Sequence, residues 1–127
     1  MCMTNQQHPT DENRPNNYEL GRTAERAALQ RYEDSGYSTI DTNVRESAGE
    51  IDLILHKDST VVFVEVKYRS SHLFGLPVEA VGRRKQQKVR GAAAEWLTSQ
   101  ASKFAEIRFD VASVDRGLNV EIYRGAF

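Results

Sequence analysis

Two runs of alternating side chains, separated by the polar stretch His56-Lys57-Asp58-Ser59-Thr60, constrain the fold of this chain more than any other feature. In the first, Ile51, Leu53 and Leu55 alternate with Asp52, Ile54 and His56; in the second, Val62, Val64 and Val66 alternate with Val61, Phe63, Glu65 and Lys67. β-Branched and apolar residues at a period of two read as strands, and the polar stretch reads as their turn. A short hairpin loop centred on Asp58-Ser59 sets His56 against Val61, Asp52 against Glu65 and Glu50 against Lys67. Directly opposed residues have Cβ atoms roughly 4.5 to 5.5 Å apart, so one divalent cation can bridge the two carboxylates. The same alternation sends Ile51, Leu53, Leu55, Val62, Val64 and Val66 to the reverse face, which predicts one core face and one face bearing chemistry.

Opposed like charges repel, and a carboxylate pair leaving water costs several kcal/mol unless a cation or donor compensates. Lys67 alone compensates only part of that cost. The alternative is a solvated hairpin face whose acids and lysine form surface ion pairs worth about 0 to 1 kcal/mol each. Against it stands the strongly apolar setting of Asp52 and Glu65.

Asp52 followed by Glu65-Val66-Lys67 resembles the D…(D/E)xK signature of the restriction endonuclease-like, or PD-(D/E)xK, nucleases, which include archaeal Holliday junction resolvases. In order along the chain, GRTAERAALQRYEDSGY, NVRESAGEIDLI, VVFVEVKYRSSHLFGLPVEAV, RKQQK and RFDV are similar to blocks of the small bacterial YraN family assigned to that fold. The resemblance spans roughly residues 18–123. It implies a metal-dependent nuclease acting on DNA, in which Asp52, Glu65 and the Val66 carbonyl hold Mg²⁺ or Mn²⁺ and Lys67 orients water or stabilises charge on the phosphate. A first-helix glutamate joins the metal site in such nucleases, and Glu25 matches it. Their Lys or Gln at the edge of the site is matched by Lys85 and Gln86. Gln86 has an alternative as an exposed helix residue, as does Glu25 in a surface pair with Arg22 or Arg26.

The remaining sequence fits one small α/β domain. A chain of 127 residues with 39% hydrophobic content can bury a single core. The lone cysteine, Cys2, excludes a disulfide or a cysteine-ligated zinc within one chain. Residues 1–17 are polar and read as a disordered tail, with no apolar segment to anchor in or cross a membrane, consistent with a cytoplasmic protein. Residues 18–34 form a first helix ending at Ser35-Gly36, in which Gly21 is expected to bring the helix close to a neighbour and aim Glu25 along that contact. A first strand covers residues 37–44, a second helix runs from a Gly82 cap to about Thr98, and strands at 104–114 and 118–123 close the domain. The order αβββαββ predicts a mixed sheet with helices packed on it, a restriction endonuclease-like core.

The net charge of −1 argues against a generic nucleic-acid binder, but its distribution does not. Between Lys67 and Arg90 the basic residues Lys67, Arg69, Arg83, Arg84, Lys85, Lys88 and Arg90 face the single acid Glu79. Arg69, Arg83, Arg84, Lys85 and Lys88 are therefore candidates for holding a phosphate backbone, the alternative being a solvated helix face. Asp110 reads as a structural hydrogen-bonding residue, Trp96 and Phe109 as core, and His72 as a surface histidine. No separate specificity domain is present, so a structure-selective nuclease, a homodimer or an accessory recruited by a protein partner fits better than sequence-specific cutting. A binding protein that keeps the fold without turnover is the other class.

Overall fold

The computed structural model describes residues 16–69 and 81–127, and its elements follow the order αβββαββ. They are α1 (Asn17–Asp34), β1 (Ser38–Glu46), β2 (Gly49–Lys57), β3 (Thr60–Arg69), α2 (Arg83–Thr98), β4 (Glu106–Asp115) and β5 (Val120–Tyr123). The expectations for Cys2, His72 and Glu79 lie outside the described residues, as does the expected tail apart from Asn16 and Asn17. Those two belong to α1: the Asn16 side chain accepts from Glu19 N while the Glu19 carboxylate accepts from Asn16 N, a reciprocal cap. Capping chemistry, rather than apolar periodicity, sets where this helix begins. At its other end Gly36 takes a left-handed φ of 93°, a conformation that glycine adopts without a Cβ penalty.

β2 and β3 pair antiparallel in the register counted from the turn, from Lys57↔Thr60 through His56↔Val61 to Leu53↔Val64. The five-stranded sheet has the order β1-β2-β3-β4-β5, with β3 and β4 parallel and the other neighbours antiparallel. A parallel step needs a long crossover, and α2 lies within it. Among the described residues no helix is long and apolar enough to cross a membrane.

Both faces of the sheet are core, which corrects the expectation that one face is core and the other bears chemistry alone. On one side Ala24, Ala28 and Tyr32 of α1 pack against Leu53, Leu55, Val62, Val64, Ala112 and Val114. On the other, Val89, Ala92, Ala93 and Trp96 of α2 pack against Ile51, Ile54, Val61 and Phe63. Ile54, Val61 and Phe63 carried the sequence signal, because a strand apolar at both parities is covered on both faces. Ile51 sits with α2, not with Leu53 as strict alternation requires. The β2–β3 ladder ends at Leu53↔Val64, and Asn43, between the β1 partners of Leu53 and Ile51, has a left-handed φ of 51°. The strand turns over at Asp52 as a result.

Asp110 is fully buried and fully paired. It accepts from Tyr32 Oη at 2.8 Å, from Arg108 Nε and Nη2 at 2.8 and 2.9 Å, and from Gly125 N at 3.0 Å. Arg108 Nη2 also donates to Tyr37 Oη at 3.0 Å. This network joins α1, β4 and the segment after β5, so Asp110 has the structural role expected of it. Trp96 is buried against Phe63, and Phe109 packs on the same cluster.

Candidate functional site

Asp52 and Glu65 lie where β2 and β3 part. With the ladder finished at Leu53↔Val64, the Val66 amide donates instead to Asp52 Oδ2 at 2.8 Å, and the carboxylate is wedged between the strands. Glu65, on β3, is only 5% exposed. Its Oε2 is 3.6 Å from Lys85 Nζ on α2, an ion contact longer than a hydrogen bond, and among the described residues no donor reaches its Oε1.

Electrostatics treats the two acids as one unit. Burial pushes the Glu65 carboxyl up to about 7, the charge of Asp52 adds to that rise, and Lys85 and Lys67 oppose it. Burial likewise raises Asp52, against the Val66 amide, Lys85 and a hydrogen bond with Glu65. Each carboxyl group thus resists ionisation beside the other, and the negative charge they hold when ionised is incompletely matched. A buried acid whose oxygen lacks a donor, beside a second buried acid, is an arrangement that a cation would relieve.

The other expected residues separate into those brought to the pair and those kept from it. Lys67 is half-buried on β3, two residues beyond Glu65, and its charge reaches that carboxylate. Lys85, expected both at the edge of the site and among the phosphate contacts, is brought to the edge of the site, where the first turn of α2 points it at Glu65. Glu50 does not oppose Lys67: the ladder has ended, and Glu50 pairs across β1 with Arg45 at 3.4 Å. Glu25 feels the charge of Asp52, and burial raises its carboxyl, yet Asn43 Nδ2 holds it at 3.2 Å. Among the described residues no group of three or more His, Cys, Asp or Glu side chains converges as a metal cage, so Glu25 is not placed as a third ligand. Gly21 makes no close approach either, since among the described residues nothing lies within 4 Å of where a Cβ would sit. The amide nitrogen of Gln86 donates to Val81 O at 2.8 Å, which pins the start of α2 rather than reaching the acids.

Of the candidate phosphate contacts, Arg83, Arg84 and Lys88 are exposed on α2, and Arg69 is half-buried on β3 in register with Asp115. A hard divalent ion fits the donor set in one respect, the two desolvated carboxylates with a vacant Oε1 lone pair, and would draw its remaining ligands from backbone oxygen and water. The Tyr32–Asp110–Arg108 network was missed by sequence reasoning. Its signal is Arg-x-Asp on one strand face, where residues two apart lie side by side.

A family model described as uncharacterised protein family UPF0102 matches residues 24–114. Similar relatives include a UPF0102 protein of Alkaliphilus metalliredigens, 40% identical over 104 residues, which covers 82% of this chain and 91% of that one. A UPF0102 protein of Moorella thermoacetica is 39% identical over 112 residues, covering 84% and 93%. The UPF0102 protein YraN of Salmonella newport is 42% identical over 111 residues, covering 86% and 84%.

Proposed function

The chain belongs to the UPF0102 family, and on the chemistry of its carboxylate pair we propose that it is a metal-dependent nuclease hydrolysing phosphodiester bonds in DNA. The observation that carries this reading is Glu65, buried beside Asp52, with Oε1 lacking a donor among the described residues, Lys67 two residues on along β3 and Lys85 on α2. The five-stranded mixed sheet, with the acids at the opening between its second and third strands, supports a restriction endonuclease-like core.

Asp52 and Glu65, with the Val66 carbonyl, would hold Mg²⁺ or Mn²⁺, which supplies Lewis acidity to the phosphate and acidity to the attacking water. Lys67 orients that water and stabilises negative charge growing on the phosphate oxygens. Lys85 balances Glu65, keeping its carboxylate ionised at a pH where burial alone would protonate it. The Val66 amide fixes the Asp52 oxygen in place, so the acid does not reorganise during the reaction. Water attacks phosphorus and the 3′ oxygen departs, leaving a 5′ phosphate. Structure-selective cutting in DNA processing, recombination or repair suits a small chain of this kind.

A second reading, a nucleic-acid-binding or accessory protein that retains the fold without turnover, is favoured by one observation: among the described residues no third ligand joins the pair. Cleavage of branched, single-stranded and duplex DNA with Mg²⁺ or Mn²⁺ separates the two. The native chain cuts, and Asp52→Ala, Glu65→Ala and Lys67→Ala each lose at least about a hundredfold, the scale of removing one electrostatic contributor. Cleavage unchanged in both acid variants would sink the nuclease reading, and salt-sensitive binding without cleavage would support the second.

A further inference from the structure

We propose that the cleft between α1 and the β1–β2 hairpin seats an unpaired stretch of DNA, with a base stacked on Tyr18 and phosphates held by Arg22 and Arg45. This rests on the reading that Asp52 and Glu65 act on a phosphodiester, and it names the form of substrate presented to them.

The cleft has a volume of about 390 Å³ and runs from Tyr18 and Gly21 of α1, past Arg22 and Arg45, to Glu25 and Asp52. Recognition sites for small ligands span about 300 to 1,000 Å³, so one nucleotide unit fits the space. Its outer end carries Tyr18, 71% exposed, with Arg22 and with Arg45, whose charge is shared with the exposed Glu50. Its inner end holds Glu25 and Asp52, both part-buried. Tyr18, Arg22 and Arg45 hold a strand at this rim without a cation, and its phosphate reaches Asp52 only when a cation offsets the acids.

Among the described residues Tyr18 has no packing role that explains it. It stands with Ile107 and Leu118 as an exposed large apolar side chain among the described residues, and of the three it alone borders the cleft that leads to Asp52. The Asn16–Glu19 cap fixes the helix turn that carries it. Arg22 lies 5.8 Å from the ring centroid and its Nη1 is 3.3 Å from the Tyr18 hydroxyl, so the ring is held while the residue stays open to a stacking partner. The Arg45–Glu50 ion pair is a surface contact, easily exchanged for a phosphate.

Gly21 completes the argument. A glycine inside a helix costs about 1 kcal/mol relative to alanine, and no neighbour within 4 Å requires it here. It lines the cleft one turn before Glu25, where any side chain would project into the path from Tyr18 to Asp52. Bases in duplex DNA are already stacked on each other, whereas an unpaired base offers its face to an aromatic ring. The cleft is therefore selective for single-stranded, frayed or branched DNA.

Binding is measured by fluorescence anisotropy with the intact chain in chelator, so that no cleavage occurs. The probes are a labelled oligothymidylate and a blunt duplex of the same length. The native chain binds the oligothymidylate more tightly; Tyr18→Ala weakens that binding by roughly five- to hundredfold, Tyr18→Phe preserves it, and duplex binding does not respond. Gly21→Leu weakens oligothymidylate binding without lowering the melting temperature. Equal binding of the two probes, or undiminished binding by a folded Tyr18→Ala chain, overturns the proposal, and tighter binding of oligouridylate overturns its assignment to DNA. If Tyr18-dependent single-strand binding persists while no DNA is ever cleaved, the nuclease reading falls and the cleft assignment stands. If Asp52-dependent cleavage of unpaired DNA survives Tyr18→Ala intact, the cleft assignment falls and the nuclease reading stands.

Discussion

Replacing Glu65 by Gln should stabilise the metal-free protein at alkaline pH, although it removes an ion contact with Lys85. The Glu65 carboxyl is raised from 4.5 to about 7, chiefly by burial. Below the lower value both folded and unfolded chains hold the proton, and the group has no effect on stability. Between the two, the unfolded chain ionises while the folded one stays protonated, so stability falls as pH rises. Above about 7 the loss is complete, and at about 1.4 kcal/mol per tenfold change in proton affinity it amounts to roughly 3 kcal/mol. That total already includes the attraction of Lys85 and Lys67, and Asp52, also raised, acts in the same direction. Urea unfolding in chelator at about pH 5 and pH 8 reads the difference. The native chain loses stability across this interval and Glu65→Gln loses much less, ending up to roughly 10 °C higher in melting temperature at the alkaline end. Adding Mn²⁺ at that pH then stabilises the native chain and leaves Glu65→Gln unchanged. A Glu65→Gln protein no more stable than native in chelator at about pH 8 would refute the claim that this carboxylate is buried without adequate compensation.

Lys85→Met removes the cation nearest Glu65, so both acids rise further and the fall in stability extends to higher pH; carboxyl resonances followed by NMR titration will show the upward movement. Tyr32→Phe takes one donor from buried Asp110 and should cost about 1.5 to 3 kcal/mol by urea unfolding, whereas Asp110→Ala strands Arg108 and should cost about 3 to 5. Gly91→Ala puts a Cβ 2.9 Å from that of Ala48, and the forced separation of α2 from the β1–β2 turn should cost about 1 to 3 kcal/mol in the same assay.

The hairpin register was legible because a polar turn fixed the count and apolar alternation allowed no slip by one residue. Asp52 and Glu65 could be brought together on that basis alone. The point where counting fails was also marked: Asn43, a residue that tolerates the left-handed region, lies opposite Asp52, and beyond it Ile51 changes face and Glu50 turns to Arg45. For Lys85 the sequence left two destinations open, the edge of the site and a phosphate backbone, because charge clustering says nothing of direction, and a cation in the first turn of α2 is aimed by how that helix packs on β2. Gly21 was misread for a similar reason: a helical glycine signals either close approach or open space, and only neighbours decide which. The cap at Asn16 was written in the sequence as Asn-x-x-Glu and outweighed the apolar pattern.

The parallel pairing of β3 with β4 also orders events in time. β1, β2 and β3 are joined by tight turns, so their contacts are local, whereas β4 must close a loop from Arg69 to Glu106 before it can pair. Asp52 and Glu65 therefore meet on a meander still open to water, and Glu65 is dehydrated when the crossover docks α2. A charge that must be stripped of water at that late step slows refolding as pH rises from 4.5 towards about 7, and Glu65→Gln should refold at a rate nearly independent of pH. The cost of building this site thus falls on the kinetics of assembly as well as on the finished fold.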